Sequence, residues 1–465
     1  MSSCKRQLTL VRGTDEISLD FGEYGTTEYN RRVAEVGGVG EKIGTVDEAI
    51  KLVITGATDV NILNSIQKAG QWLIDARRRE KIGTGDRVYI RYTPEKSTVT
   101  WQAELLKGRL EVINREGFRS IYGGGRIFRA GLGWTRRGAW EDSDLTQLPL
   151  SNCNATRTLN NCPVYNANDL SGTSPTQRCN YVDIAAADLP GELPTPAYIE
   201  ITNTYSDAAR RMYVGHKTQG DPENFDQILE AESATLGTGV AAAVCASCSN
   251  GNTANVTNVP ATVRTLFTWS ITDVQAAYAL SQWLRPVARF STVPNNSTCK
   301  ARLTLKDSVT GAIVAQSEYQ ALDNTNELQT LPAFLLSPEQ AGQITPGAML
   351  LLLEAKDSAA TCDFSLDYVD LMPIEAGMGF RFYKPIDETV VSIPATTGVI
   401  TDNQIDGSLF IESRQTVYVA FGGPILLVPR RLNRLCFHRD NGSGVAAVAA
   451  TMGVKIYIRQ RSLTI

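Results

Sequence analysis

The sequence predicts a mainly β protein built from several domains, and three observations carry that prediction. Short runs of alternating apolar and polar residues recur along the 465 residues, as in AIKLVIT (49–55), AYIEITN (197–203) and VKIYIRQR (454–461). Only one stretch, 59–80, has a long and clean helical period. Turn residues punctuate the rest at the intervals of β-sandwiches, and the length fits two to four domains.

Bulk properties exclude some functions. The net charge is −4 and the pI about 5.5, which argues against a dedicated nucleic-acid surface. No apolar run approaches the ~18 residues of a membrane span, and the amino terminus lacks the charged-then-apolar pattern of a secretion signal. A chain made in a cytosol and not exported by the general route is the expectation.

The first domain is expected over 1–145. Leu8–Val11, Ile17–Leu19 and 49–55 read as strands. The glycine-rich VGGVGEKIG (36–44) lacks the G-K-[ST] ending of a phosphate loop and reads as a plain loop. In the helix, Ile62, Ile66, Ala69, Leu73 and Ala76 form one apolar face; Asp59 is placed to cap its start, and Arg77, Arg78 and Arg79 close its last turn before Gly83. Strands around the turn Thr93–Lys96, then GRIFRAGLGWTRRGAW (125–140), complete an α+β unit.

Three motifs in this unit carry a resemblance. The opening L-T-L-x-x-G (8–13), the strand W-x-A-x-L-L-x-G-R-L (101–110) and the closing G-W-T-R-R-x-x-W-E (133–141) resemble the N-terminal domain of siphophage distal-tail and related minor tail proteins. The resemblance implies a split β-barrel flanked by one helix, the tail-tube fold, assembled as a hexameric ring. Arg77–Arg79 with Arg136 and Arg137 would then lie near a subunit boundary or in solvent rather than against nucleic acid.

From Leu148 the chain turns Asn-, Thr- and Ser-rich, then gives strands near Ile199–Ile201 and Met212–Val214. The end, G-P-I-L-L-x-P-x-x-L-N-x-L-x-F (423–437) with V-x-I-Y-I-R-x-R (454–461), resembles the galectin-like sandwich of the same tail proteins. That sandwich is expected to be discontinuous, 146–221 plus 376–465, with 222–375 inserted at a loop. Insertion costs little if the guest's two ends are neighbours.

The inserted part reads as a β-sandwich of its own, with a hairpin tipped by Thr310-Gly311. Its first strand carries E-A-E (230–232) and its last L-D-x-V-x-L (366–371), and both resemble jelly-roll carbohydrate-binding modules. Many of those hold a structural calcium between the edge strands; the matching oxygen ligands here are Glu230, Glu232 and Asp367. No other cofactor is expected. For glycan binding, Tyr278 and Trp283 in the polar AAYALSQWLRP are the candidate stacking platforms, with burial as the plainer reading, while Trp269 reads as core.

Neither of the two histidines, His216 and His438, sits in a nucleophile motif, and each reads as a surface or core residue. The acidic pairs Asp363/Asp367 and Asp367/Asp370 have no sign of a cleft between them. No active site is expected. The nine cysteines fit two readings, plain thiols or disulfides in a particle that leaves the cell, with Cys299–Cys362 and pairs within 153–179 foremost. The sequence-based expectation is therefore a non-enzymatic virion tail subunit, assembled in the host cytoplasm. Its partners would be its own copies, the tail tube and baseplate or tip proteins, and host-surface glycans. The alternative is a secreted-type carbohydrate-binding protein or the accessory part of a carbohydrate-active enzyme.

Overall fold

A computed structural model of the chain describes residues 7–19, 24–33, 44–56, 58–82, 86–94, 97–112, 119–120, 126–166, 177–203, 209–219, 228–271, 283–335, 337–342, 344–373, 377–386, 390–393, 401–403, 418–422, 425–441, 443–447, 449 and 451–462. The protein is mainly β, as the alternation predicts. It divides into two units, one of 1–146 with 191–193 and 459–465, the other of 147–190 with 194–458. Among the described residues no helix is long and apolar enough to cross a membrane.

The first unit is a sheet covered by the helix Asp59–Ile82. Its strands run in the order Asp15–Ser18, Gln7–Arg12, Val88–Thr93, Trp101–Val112, Arg126–Arg137, Thr45–Gly56, Tyr24–Val33. This path is open at both ends among the described residues, so barrel closure is not observed. The C-terminal Arg461–Ser462 pairs with Trp140–Asp142, which puts the chain's end in this unit instead of the sandwich expected for 376–465.

The helix buries Ile62, Ala69, Leu73 and Ala76 together with Trp72 and Ser65, while Ile66 is half-buried against the same core. Its cap is Thr58, not Asp59: the Thr58 hydroxyl accepts from the Asn61 amide at 3.2 Å, and the Thr58 carbonyl accepts the first helical bond, from Ile62. The helix comes so close to strand Trp101–Val112 that a side chain at Gly108 has no room. A Cβ there would lie 2.6 Å from Leu73 Cδ2 and 3.0 Å from the Gly133 carbonyl. The glycine of the W-x-A-x-L-L-x-G-R-L motif is thus the floor of the helix seat.

The closing motif has an equally physical reason. Glu48 is buried and accepts from Arg136 Nε at 2.9 Å, Arg136 NH2 at 2.8 Å and Trp134 Nε1 at 3.0 Å. Arg136 also donates to the carbonyls of Arg137 and Gly138 and lies 4.1 Å over the Trp140 ring. Arg136 is fully buried and belongs to this lock; it does not share an exposed basic face with Arg77–Arg79.

In the second unit, strands from both sides of 228–373 zip into one sandwich. One sheet pairs Tyr198–Asn203 with Thr451–Ile458 and Val390–Ile393; the other pairs Ala209–Gln219 with Leu432–Asn441 and Gly377–Ile386. Ile199, Ile201, Val214, Phe380, Phe437, Val454 and Ile456 fill the space between. Residues 228–373 form two further sheets around a separate core that includes Phe267, Trp269, Phe290, Leu303, Leu353 and Phe364. Their first strand, Ile228–Glu230, pairs with their last, Cys362–Pro373, in the register Ile228↔Asp370, so the entry and exit of the insert are neighbours.

Disulfides join Cys153 to Cys179 and Cys245 to Cys248. The second pair was not expected from the sequence. Of the two readings left open for Cys299 and Cys362, the structure has the thiols: both are buried and outside any disulfide, as are Cys162 and Cys436.

Replacing Glu48 with Ala leaves the Arg136 guanidinium buried without its carboxylate. The unfolding transition of the first unit is expected to lose about 3–5 kcal/mol in a urea titration. Gly108→Val should also destabilise it, by about 1–3 kcal/mol of overpacking. An unchanged Glu48→Ala transition would contradict the buried pairing.

Candidate functional site

A cleft of about 720 Å³ opens at the edge of the inserted sandwich, where its two sheets part. One wall is the start of strand Trp283–Thr292, paired through Trp283↔Leu335 and Leu284↔Phe334 with the short strand Phe334–Leu335. Strand alternation turns Leu284 into the core and leaves Trp283 outside, 45 % exposed. The opposite wall is Ala315–Gln320, at and beyond the end of edge strand Ile313–Gln316. Ser317 fixes this wall, exchanging bonds with Leu303 through its amide and its hydroxyl, each at 2.9 Å.

Three carboxamides line the cleft, each anchored by one end. Gln316 Nε2 donates to Thr304 Oγ1 at 3.0 Å and Gln320 Nε2 donates to the Thr330 carbonyl at 2.8 Å, so both keep their oxygen as an acceptor. Gln340 is the reverse. Its Oε1 accepts from the Ser337 amide at 2.9 Å while the Ser337 hydroxyl accepts from the Gln340 amide at 3.2 Å, a capping box that keeps the side-chain NH2 as a donor.

Tyr319 is held on its ring by two cations, Arg302 at 4.5 Å and Lys356 at 4.2 Å from the centroid. Its hydroxyl is buried and has no hydrogen-bond partner among the described residues. Burial pushes this phenol above its ordinary pKa. Arg285 and Glu318 complete the polar lining, and Pro332, Ala333 and Phe334 supply apolar surface. An exposed indole beside anchored amides suits a ring bearing hydroxyl groups. Of the two platforms expected from the sequence, Trp283 is in this cleft and Tyr278 lies outside the described residues. Tyr319 is one of the insert's four aromatic candidates by sequence, but Tyr278 and Trp283 are the better ones by their polar surroundings, and the rest of the QSEYQ wall (316–320) carries no signal of its own.

The carboxylates expected as calcium ligands do approach one another, around the turn at Ser249–Asn250. The Ser249 amide donates to both oxygens of Asp367 at 3.0 and 3.2 Å, and its hydroxyl donates to Glu230 Oε1 at 2.7 Å. Asn250 Nδ2 reaches Glu232 Oε1 at 3.5 Å. Asp367 already carries a cation, however: Arg289 NH1 donates to its Oδ2. Among the described residues no group of three His, Cys, Asp or Glu is arranged to hold a metal ion.

Both histidines lie in the host sandwich, away from the cleft. His216 is buried, its Nε2 2.9 Å from Asn433 Oδ1, and burial lowers its pKa to about 4. His438 sits where the insert meets its host. Its Nε2 is 2.7 Å from Asp370 Oδ2 and its Nδ1 is 2.9 Å from the Tyr368 hydroxyl. Asp370 also accepts from Lys217 Nζ at 3.1 Å and Asn180 Nδ2 at 3.2 Å. Desolvation pushes the Asp370 carboxyl up, but Lys217 and His438 outweigh it and hold the group below its ordinary value. Apolar contacts from Val287, Leu328 and Met372 on the insert to Tyr213, Cys436 and Ala446 on the host surround this network. Asp367 and Asp370 are thus each engaged by a cation.

No protein-family profile matches the chain, and neither does any curated protein. Solved structures show partial similarity. A structure of the phage P2 baseplate in its activated conformation with Ca is 14 % identical over 47 % of this chain and 74 % of that one, with a TM-score of 0.24. The CBM22-1 xylan-binding domain from Paenibacillus barcinonensis Xyn10C is 13 % identical over 36 % of this chain and 98 % of that one, at 0.19. An exo-β-1,3-galactanase from Phanerochaete chrysosporium is 8 % identical over 70 % and 78 %, at 0.20.

The depressed His216 has a readable consequence. Its neutral form is favoured in the fold, so the unfolded state binds the extra proton between about pH 6.5 and 4, and stability falls as pH drops through that window. Asp367 and Asp440, both raised to about 6 chiefly by burial, act in the opposite direction: their contribution is lost as pH rises from about 4 through 6. The total curve therefore mixes signs, and a comparison with His216→Gln isolates one term. Wild-type stability relative to that variant is expected to fall by up to ~3 kcal/mol from pH 7 to pH 4, read by denaturant titration at each pH. A pH-independent difference would show that His216 is not held neutral.

Proposed function

We propose that the chain is a non-enzymatic structural subunit of a phage or phage-derived tail, a ring-forming distal-tail or minor tail protein. Its inserted sandwich would bind host-surface glycans at the Trp283 cleft. The single observation that carries the binding half is the exposed indole of Trp283 beside anchored carboxamides in one cleft. Supporting the assembly half is a helix-backed sheet whose path ends in Asp15–Ser18 and Tyr24–Val33, strands of the kind that copies can join edge to edge. In a hexameric ring six clefts would act together, so weak single-site affinity would suffice. Tail-tube and baseplate or tip proteins would be the ring's neighbours, and the virion tail its location.

The cleft equally favours a second reading, a carbohydrate-binding protein or accessory part of a carbohydrate-active enzyme, and assembly separates the two. Negative-stain microscopy of the purified chain should show rings; a strict monomer with glycan turnover would sink the tail reading. On a glycan array the full chain should bind a restricted set. Trp283→Ala is expected to weaken that binding about tenfold or more, the size of a contact worth ~1.4 kcal/mol. Gln316→Ala, which removes an anchored carboxamide from the cleft wall, should cost about 0.5–1.5 kcal/mol of affinity. Wild-type silence across the array, or binding indifferent to both changes, would remove the cleft from the account.

A further inference from the structure

We propose that the Arg289 guanidinium is the positive partner of the buried Asp367, so that this carboxylate is neutralised without a metal ion. The same side chain then also fastens the insert to its host. This inference is independent of what the cleft binds.

The argument begins with charge. Three carboxylates gather at one turn, and Asp367 among them is fully buried, so a positive partner is required. A calcium ion would need six to eight oxygens at about 2.3–2.6 Å, drawn from all three side chains together. Among the described residues no group of three His, Cys, Asp or Glu is placed to hold a metal ion, and the Glu232 Oε2 atom is buried with no hydrogen-bond partner in reach. Arg289 instead supplies the charge from strand Trp283–Thr292, which pairs with the Asp367 strand in the register Arg289↔Tyr368. Arg289 is only 3 % exposed, which makes its contact with Asp367 a buried ion pair.

A guanidinium has donors to spare, where a metal ion would have bound only the carboxylates. Nε of Arg289 donates to the Ala446 carbonyl of the host at 2.6 Å, and NH2 lies 3.8 Å from Glu327 Oε2. Glu327 in turn accepts from the Ala446 amide at 2.8 Å, and its own amide donates to the Gly444 carbonyl at 2.8 Å. Gly444 has a φ of +88°, and a Cβ on it would lie 2.7 Å from both the Thr325 carbonyl and Asn326 Oδ1. The host loop 443–446 is therefore moulded onto the insert around Arg289. One side chain neutralises Asp367 and latches this loop.

The experiment is thermal unfolding of the full chain in calcium chloride and in EGTA, with calorimetric titration of calcium. The wild type should melt at the same temperature in both and take up no calcium. Arg289→Ser leaves Asp367 uncompensated; it should melt lower in EGTA and recover part of the loss as calcium is added. Arg289→Lys, which keeps the charge, should stay indifferent to calcium, and it is the variant to read should Arg289→Ser fail to fold. Stoichiometric calcium binding or calcium stabilisation in the wild type would overturn the proposal. So would a folded Arg289→Ser that ignores calcium, or an Arg289→Lys that responds to it.

Discussion

The second unit depends on a strand that serves two cores. Cys362–Pro373 closes the inserted sandwich through Phe364, Leu366, Val369 and Leu371, and it presents Tyr368, Asp370 and Met372 to the host. Asp370 is the centre of that second face. A buried carboxylate is tolerable only with its charge matched and its lone pairs used. Lys217 supplies the charge, and His438 and Asn180 supply the bonds, all from host strands or from the residue just before one. The Lys217–Asp370 pair therefore makes the fit between guest and host specific: in an incorrect docking both charges would be buried alone.

This joint changes what the insertion means. A guest domain needs only neighbouring ends, and Ile228–Glu230 beside Cys362–Pro373 provides them. Neighbouring ends alone would allow it to swing on two linkers. Here the apolar contacts of Val287, Leu328 and Met372, the Asp370 network and the Arg289–Ala446 latch remove that freedom. The cleft at Trp283 thus belongs to a body fixed on the host sandwich.

Much of the fold was legible in the sequence because its signals are local. Alternation marked the strands, the three-and-four spacing marked the helix face, and the two flanking segments of the host sandwich each carried strand patterns of their own. The failures were of another kind. Asp59 was read as the cap because it is the better helix-start residue by type, whereas Thr58 holds the cap geometry. Arg136 was read as surface because arginine usually is; burial needed Glu48, 88 residues away in sequence, on a neighbouring strand. At the candidate site Trp283 was readable as an aromatic in polar surroundings. The carboxamide wall was not, since a glutamine's role depends on which end its neighbours occupy. Likewise, Glu230, Glu232 and Asp367 could be matched to a ligand pattern, but the sequence does not reveal that Arg289 reaches Asp367 from the adjacent strand.

The central claim is that guest and host form one cooperative body through the polar face of strand Cys362–Pro373. Native-state hydrogen exchange with increasing urea tests it most directly. The account predicts that amides of strands Cys299–Asp307 and Met349–Asp357, deep in the insert, open with the same free energy and urea dependence as those of Ala209–Gln219 and Leu432–Asn441 in the host. Two separate openings, with the insert's core exchanging while the host strands stay protected, would contradict it.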